Sequence, residues 1–161
     1  MKVSDVMTRT PAFCVPGTNL GTAAEILWNR NCGILPVVNA EGRVVSVVTD
    51  RDICIALGTR NRLAGELTVG DVATQPAVCC QADEDIRAAL TRMGGAKFRR
   101  LPVVGANGKL EGLLSMDDVV DRTPFKAAAR GDELTAEEVV GTLKRLYAPL
   151  LPASASKTAA A

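Results

Sequence analysis

Apolar and polar positions fall into blocks along this chain, and the blocks occur twice. From residue 19, Leu20, Ala23, Ala24, Leu27 and Trp28 recur at helical spacing, predicting a helix over 19–30. Two short β-branched runs follow, 34–38 and 43–48, with the turn-forming "NAEG" between them, so a hairpin is expected. A second helix fits 50–58. The order then returns. Ile86, Ala89, Leu90 and Met93 share one face of a helix over 84–94, strands fit 101–104 and 109–114 around "GANG", and a helix fits 116–122.

The likeness extends to residue identity. "VSDVMTRTPAFC" (3–14) faces "VGDVATQPAVC" (69–79), and "ILPVVNAEGRVVSVVTDRDI" (34–53) faces "RLPVVGANGKLEGLLSMDDV" (100–119). Leu35 and Leu101 lie 66 positions apart; the first segments align at 65 or 66 with one or two single-residue shifts, which matches Cys14 to Cys79. A repeat this long is a whole supersecondary unit. With a helical turn after Ser4 or Thr68 and an extended Pro-Ala-apolar-Cys segment next, each unit reads β-α-β-β-α. Neither copy can bury its sheet face alone, but two packed together can. The expected fold is α+β, two such units related by a pseudo-twofold axis, spanning 1–65 and 66–123.

After residue 123 the repeat ends. A linker containing Pro124 and Gly131 leads into "DELTAEEVVGTLKRLY", where Thr135 and Glu138 form a capping-box pair. Val139, Val140, Leu143, Leu146 and Tyr147 make an apolar stripe on this helix, which could close over the repeats, join a dimer or dock a partner. Linker and helix occupy 124–151, and 152–161 ("PASASKTAAA") reads as a disordered tail.

Composition narrows the function classes. The 161 residues are 47% hydrophobic but 3% aromatic, so Val, Leu, Ile and Ala must do the packing. Nineteen Lys and Arg against 18 Asp and Glu give a net charge of +1, too little for a global field toward nucleic acid or anionic membrane. No apolar run approaches the ~20 residues that span a bilayer, and "MKVSDVMTRT" lacks the apolar region of a signal peptide. A cytoplasmic protein with five reduced cysteines is expected. Cys14 and Cys79 read as small apolar core residues. Adjacent Cys79 and Cys80 lack metal-site spacing, and the chain has no His, so no metal is expected.

The chemistry concentrates where strand becomes helix. In "VVSVVTDRDI", Thr49 and Asp52 stand three apart, and Ser115 and Asp118 occupy the same junction of the second copy. One reading is a capping box: hydroxyl to the N–H of the fourth residue, carboxylate back to the N–H of the first. The second acidic residue, Asp50, also makes an Asp-x-Asp of the kind that phosphatases of the haloacid-dehalogenase type use, with Asp50 as nucleophile and Asp52 as acid/base. The following Ile-Cys and the replacement of Asp50 by Met116 in the second copy argue against it. "GGAKFRRLPVV" holds the densest cationic cluster, Lys97, Arg99 and Arg100, either a charged strand edge or a phosphate clamp.

Taken in order, "DVMT…P", "LPVV" before a hairpin, and Gly–apolar–Thr/Ser-x-x-Asp after it resemble the CBS domain, present twice over residues 1–123. Ser46 departs from the pattern, where the second copy keeps Gly112. The resemblance implies a stand-alone regulatory pair without a catalytic cofactor, binding an adenosine nucleotide (AMP, ADP or ATP, with S-adenosylmethionine and NAD as lesser candidates) between the repeats. It implies that Thr49, Asp52, Ser115 and Asp118 meet the ribose, since a carboxylate matches a vicinal diol. It assigns Arg99 and Arg100, with Lys97, to the phosphates of the nucleotide held by Thr49 and Asp52. The Ser115–Asp118 cleft would then face Ile34 with only Arg51 as a cation, and the two sites would be unequal. Adenine would lie against Thr10–Ala12 and Gln75–Ala77, with Ile34, Pro36 and Pro102. A homodimer through the Ala23, Leu27 and Trp28 face and an unidentified target protein complete the expectation; a ligand-free interaction scaffold is the alternative.

Overall fold

The computed structural model describes residues 1–124 and 133–149; the tail expected over 152–161 and most of the 124–131 linker lie outside the described residues. After a helical turn at Val3–Asp5 come β1 (Thr8–Arg9), α1 (Leu20–Asn29), β2 (Ile34–Val38), β3 (Val44–Thr49) and α2 (Asp50–Arg60). A turn at Ala64–Glu66 leads to α3 (Val69–Val72), β4 (Cys80–Gln81), α4 (Ile86–Ala96), β5 (Arg100–Val104), β6 (Leu110–Ser115), α5 (Met116–Arg122) and α6 (Ala136–Tyr147).

Local chemistry sets the boundaries. The Asn19 side chain accepts the Thr22 N–H at 2.8 Å and starts α1, and Asp85 accepts the Arg87 N–H at 2.8 Å to start α4, two residues later than expected. Asn61 and Lys97 end α2 and α4 in the left-handed conformation. Both hairpin turns need glycine, at Gly42 (φ +78°) and Gly108 (φ +76°). At their tips the hairpins join, Val44 N–H to Gly108 O at 3.1 Å and Leu110 N–H to Gly42 O at 3.2 Å.

The duplication holds at a constant spacing of 66. Ile34 opposes Thr49 and Arg100 opposes Ser115, and the ladders slip after Val37 and Val103 alike. Cys14 pairs in parallel with Val37, while Cys80 pairs with Val103. The structural counterpart of Cys14 is therefore Cys80, not the expected Cys79. The repeated Pro-Ala dipeptide, Pro11–Ala12 and Pro76–Ala77, suggests a one-residue shift that the backbone does not make.

The hydrophobic interior consists of two clusters, each completed by the other repeat. Leu20, Leu27, Leu35, Val37, Val48 and Ile53 gather with Leu67 and Val69. Ile86, Met93, Leu101, Val103, Leu114 and Val119 gather with Val3, Val6 and Met7. The backbone bonds are reciprocal: Val3 N–H to Glu84 O at 3.0 Å, and Val69 N–H to Thr18 O at 2.8 Å. The repeats thus exchange their opening turns.

One position breaks the symmetry of the sheets. β1 adds to β6 through Thr8–Leu113 and Arg9–Gly112, giving a four-stranded sheet ordered β1-β6-β5-β4. A Cβ at Gly112 would lie 2.5 Å from Met7 Sδ and 2.9 Å from Thr8 O, so only glycine admits the crossing strand. The counterpart Ser46 carries a side chain. Its hydroxyl donates to Gln75 O at 2.6 Å, and β2 and β3 remain a two-stranded sheet.

The α1 stripe is narrower than the spacing suggests. Leu20, Ala23 and Leu27 are buried, while Ala24 is exposed and Trp28 is 85% exposed, so Trp28 is not a core residue. On α4 the equivalent residues, Leu90 and Gly94, are buried under α6. Helix α6 docks through Val139 and Leu146, with Thr142 buried beside them and Leu134 packed just before the helix; Val140 and Tyr147 of the expected stripe face solvent. Arg87 Nε lies 2.6 Å from Glu138 Oε1 across this contact, and the Lys97 ammonium donates to the carbonyls of Arg145 and Ala148 (3.0 Å) at the far end of α6.

Two outcomes follow. Gly112→Ala should lower the unfolding free energy by about 1–3 kcal/mol in urea titrations, because the added methyl overpacks Met7 and Thr8. Ser46→Gly should cost far less. The Arg87 guanidinium, then the Thr135 N–H, hold the Glu138 carboxyl down from 4.5 to about 2. A carboxyl lowered by folding contributes stability above its ordinary value and loses it as pH falls from about 4.5 toward 2. The melting-point gap between wild type and Glu138→Gln should therefore be present at pH 6 and close across that window.

Candidate functional site

Both strand-to-helix junctions form the capping box. Thr49 Oγ1 accepts the Asp52 N–H at 3.2 Å, while Asp52 Oδ2 accepts the Thr49 N–H at 2.9 Å and its hydroxyl at 2.7 Å. Ser115 and Asp118 repeat this, with Asp118 N–H to Ser115 Oγ at 3.1 Å and Ser115 N–H to Asp118 Oδ2 at 3.0 Å. Only one oxygen of each carboxylate is engaged in the cap. Asp118 Oδ1 accepts the Thr8 hydroxyl at 3.1 Å, and Asp52 Oδ1 has no partner among the described residues.

The Asp118 oxygen faces a cavity of about 360 Å³ between the repeats. The second repeat contributes Arg100, Leu113, Ser115, Asp117 and Asp118; the first contributes Thr8, Thr10–Ala12, Arg30–Cys32 and Ile34. The exchanged opening segment makes this possible, because β1 carries Thr8 onto β6 beside Asp118. Thr10, on the wall, holds a positive φ of 58°.

The predicted site residues divide. Thr10, Ala12, Ile34, Arg100, Ser115 and Asp118 share this cavity. Thr49 and Asp52 lie at the equivalent junction of the first repeat, outside it. Arg100, expected with Thr49 and Asp52, stands opposite Ser115 in the β5–β6 ladder and lies 3.4 Å from Asp117. Arg99 is exposed, with no side-chain partner among the described residues. Lys97 turns to the end of α6, and Arg51 is exposed at the start of α2. Pro36 and Pro102 are buried in β2 and β5, where their carbonyls face the Cys14 and Cys80 thiols at 3.9 and 3.7 Å. Ala77 donates its N–H to Val45 O at 3.4 Å, away from this cavity.

Sequence reasoning missed Thr8, Arg30 and Asp117. Asp117 had a signal as the neighbour of Asp118 in "SMDDV" and Thr8 as the last residue of "DVMT"; Arg30 had none. The cysteines are all free, and burial pushes the Cys14 thiol up to about 11 and Cys80 to about 12, as suits packing rather than reactive groups. Among the described residues no cluster of His, Cys, Asp and Glu is placed to hold a metal ion, and no helix is long and apolar enough to cross a membrane.

The CBS domain model matches residues 3–59 and 69–123, and the chain belongs to this family as a tandem CBS pair. An uncharacterised 17.7 kDa protein of Acidianus ambivalens is 31% identical over 141 residues, covering 88% of this chain and 84% of its own. The protein MK0525 of Methanopyrus kandleri is 28% identical over 123 residues; the match covers 74% of this chain but 63% of that protein's length. Among solved structures, CBSX2 of Arabidopsis thaliana, in its complex with AMP, superimposes with a TM-score of 0.66 at 30% identity, covering 74% of this chain and 93% of that one.

Proposed function

We propose that this CBS pair is a regulatory module that takes an adenosine nucleotide into the Ser115–Asp118 cleft and reports it to a partner protein. The carrying observation is the cavity itself. The Asp118 carboxylate, the Ser115 hydroxyl and the Arg100 guanidinium of the second repeat share it with a mixed wall from the first, where Pro11, Ala12 and Ile34 are apolar and Thr8, Arg30 and Asn31 polar. Its size, about 360 Å³, lies within the ~300–1,000 Å³ usual for small-ligand sites. Asp118 keeps Oδ2 in the cap and offers Oδ1, with the Thr8 hydroxyl, to the ribose diol. Arg100 exchanges Asp117 for the phosphate, and the base lies along Thr10–Ala12 and Ile34. The AMP complex of CBSX2 supports this class of ligand.

Because the ligand touches both repeats, it favours one setting of them over another, which is how a partner would sense it. The residues serve binding, not turnover: Asp52 is engaged in its cap, and exposed Asp50 accepts the Arg51 N–H at 2.7 Å. Five free cysteines support a reducing, cytoplasmic setting.

Asp118→Ala should weaken AMP at least about tenfold by calorimetry, the scale of one lost charge-assisted pair. It should also cost about 1 kcal/mol of stability as a lost cap. Asp52→Ala should cost similar stability while changing AMP affinity in this cleft by less than about twofold. That order reverses the one the sequence suggests. Equal AMP affinity in wild type and Asp118→Ala would leave capping as the whole role of the carboxylate, and no binding of any adenosine compound would leave a ligand-free scaffold.

We further propose a homodimer through the first repeat. Helix α6 covers the α4 face, whereas the equivalent α1 face leaves Trp28 open beside a hollow of about 330 Å³ lined by Ala24, Leu27, Ile53 and Cys54. Light scattering at micromolar concentration should give twice 16.9 kDa for wild type and a monomer for Trp28→Glu. A monomeric wild type would refute the dimer.

A further inference from the structure

We infer that Asp117 sets how many phosphates the Ser115–Asp118 cleft accepts, holding it to nucleoside monophosphates against triphosphates. The inference rests on the nucleotide reading of that cleft and names its specificity.

The cation at the phosphate end is Arg100, and a carboxylate already engages it. Its Nη2 lies 3.4 Å from Asp117 Oδ2. A Cβ at Gly33 would lie 3.5 Å from Arg100 Nη1 and 3.5 Å from Asp50 Oδ2, so the missing side chain of Gly33 keeps room open beside the guanidinium. The other lining cation, Arg30, belongs to the base end, where it also borders a neighbouring hollow with Thr10, Pro11 and Ala12.

A single phosphate can take the place of Asp117 on Arg100, since the Asp117 side chain is 86% exposed and swings away at little cost. Every further phosphate must then extend past Asp117, beyond an Arg100 guanidinium that the first phosphate already occupies. Even swung aside, the Asp117 carboxylate stays near the added phosphate charges, and at about 1 kcal/mol per like-charge pair in water the two extra charges of a triphosphate disfavour binding by about tenfold or more.

The duplication supplies an internal control. At a spacing of 66, Asp117 is the counterpart of Arg51, the second residue of its helix in each repeat. The same backbone position thus carries opposite charge in the two halves. A carboxylate in a helix's first turn also complements the helix dipole, but that role affects stability and is indifferent to the ligand's phosphate number.

The test is calorimetry on the full chain with adenosine, AMP and ATP, magnesium omitted and ionic strength fixed. Wild type should bind AMP at least about tenfold more tightly than ATP. Asp117→Asn should shrink that ratio to about threefold or less, and Asp117→Arg, which copies Arg51, should bring it near one or invert it. Arg100→Gln should bring AMP down toward adenosine. An AMP-to-ATP ratio unchanged in both Asp117 variants, with only the melting point shifted, overturns the inference while leaving the nucleotide reading intact. Failure of adenosine and AMP alike to bind wild type overturns the reading and the discrimination together.

Discussion

Val3 and Val69 are fully buried, each in the cluster of the repeat it does not belong to, and the bonds Val3 N–H to Glu84 O and Val69 N–H to Thr18 O hold them there. Burying one such side chain is worth about 1.5–3 kcal/mol, so a repeat deprived of its neighbour's turn loses both apolar cover and backbone partners. The halves are therefore obligate to one another. The same crossing carries β1 onto β6, and with it Thr8 to Asp118 and the Thr10–Ala12 segment to the wall of the cleft. The site exists because the cores are exchanged.

The junction residues show how one carboxylate serves two ends. Asp is a short arm for a capping box, and here the hydroxyl-x-x-Asp geometry uses a single oxygen for both the N–H and the hydroxyl of the first residue. The remaining oxygen is left at the mouth of the helix. A longer Glu or Gln would satisfy the cap equally well but would carry its second oxygen or amide elsewhere. Capping thus fixes the rotamer, and a fixed rotamer is what a binding carboxylate needs.

Much of this was legible in the sequence. The helices, both hairpins and their glycines followed from periodicity and turn chemistry, and the capping boxes at Thr49, Ser115 and Thr135 form as their spacing implies. Four features were not. The Cys14–Cys80 equivalence was hidden by a chance repetition of Pro-Ala, and Trp28 by a stripe drawn two residues too wide, with Ala24 and Trp28 both exposed. Lys97 was read with its sequence neighbours, whereas its left-handed backbone sends it to the end of α6. Arg100 was read with the Thr49 junction, whereas its guanidinium meets Asp117 of its own repeat, a side-chain contact that periodicity does not reveal.

Thr10 deserves a different reading from its neighbours in the cleft. Its φ of 58° lies in the left-handed region, which β-branched residues seldom enter. Its counterpart at a spacing of 66 is Pro76, whose ring confines φ to about −65°. No rearrangement of side chains can make the two backbones coincide there. A gene duplication begins with two identical halves, and substitutions on the surface can in principle be undone one by one. A proline set against a left-handed residue is divergence written into the main chain itself, so the two repeats differ in backbone shape at this position before any charge is counted.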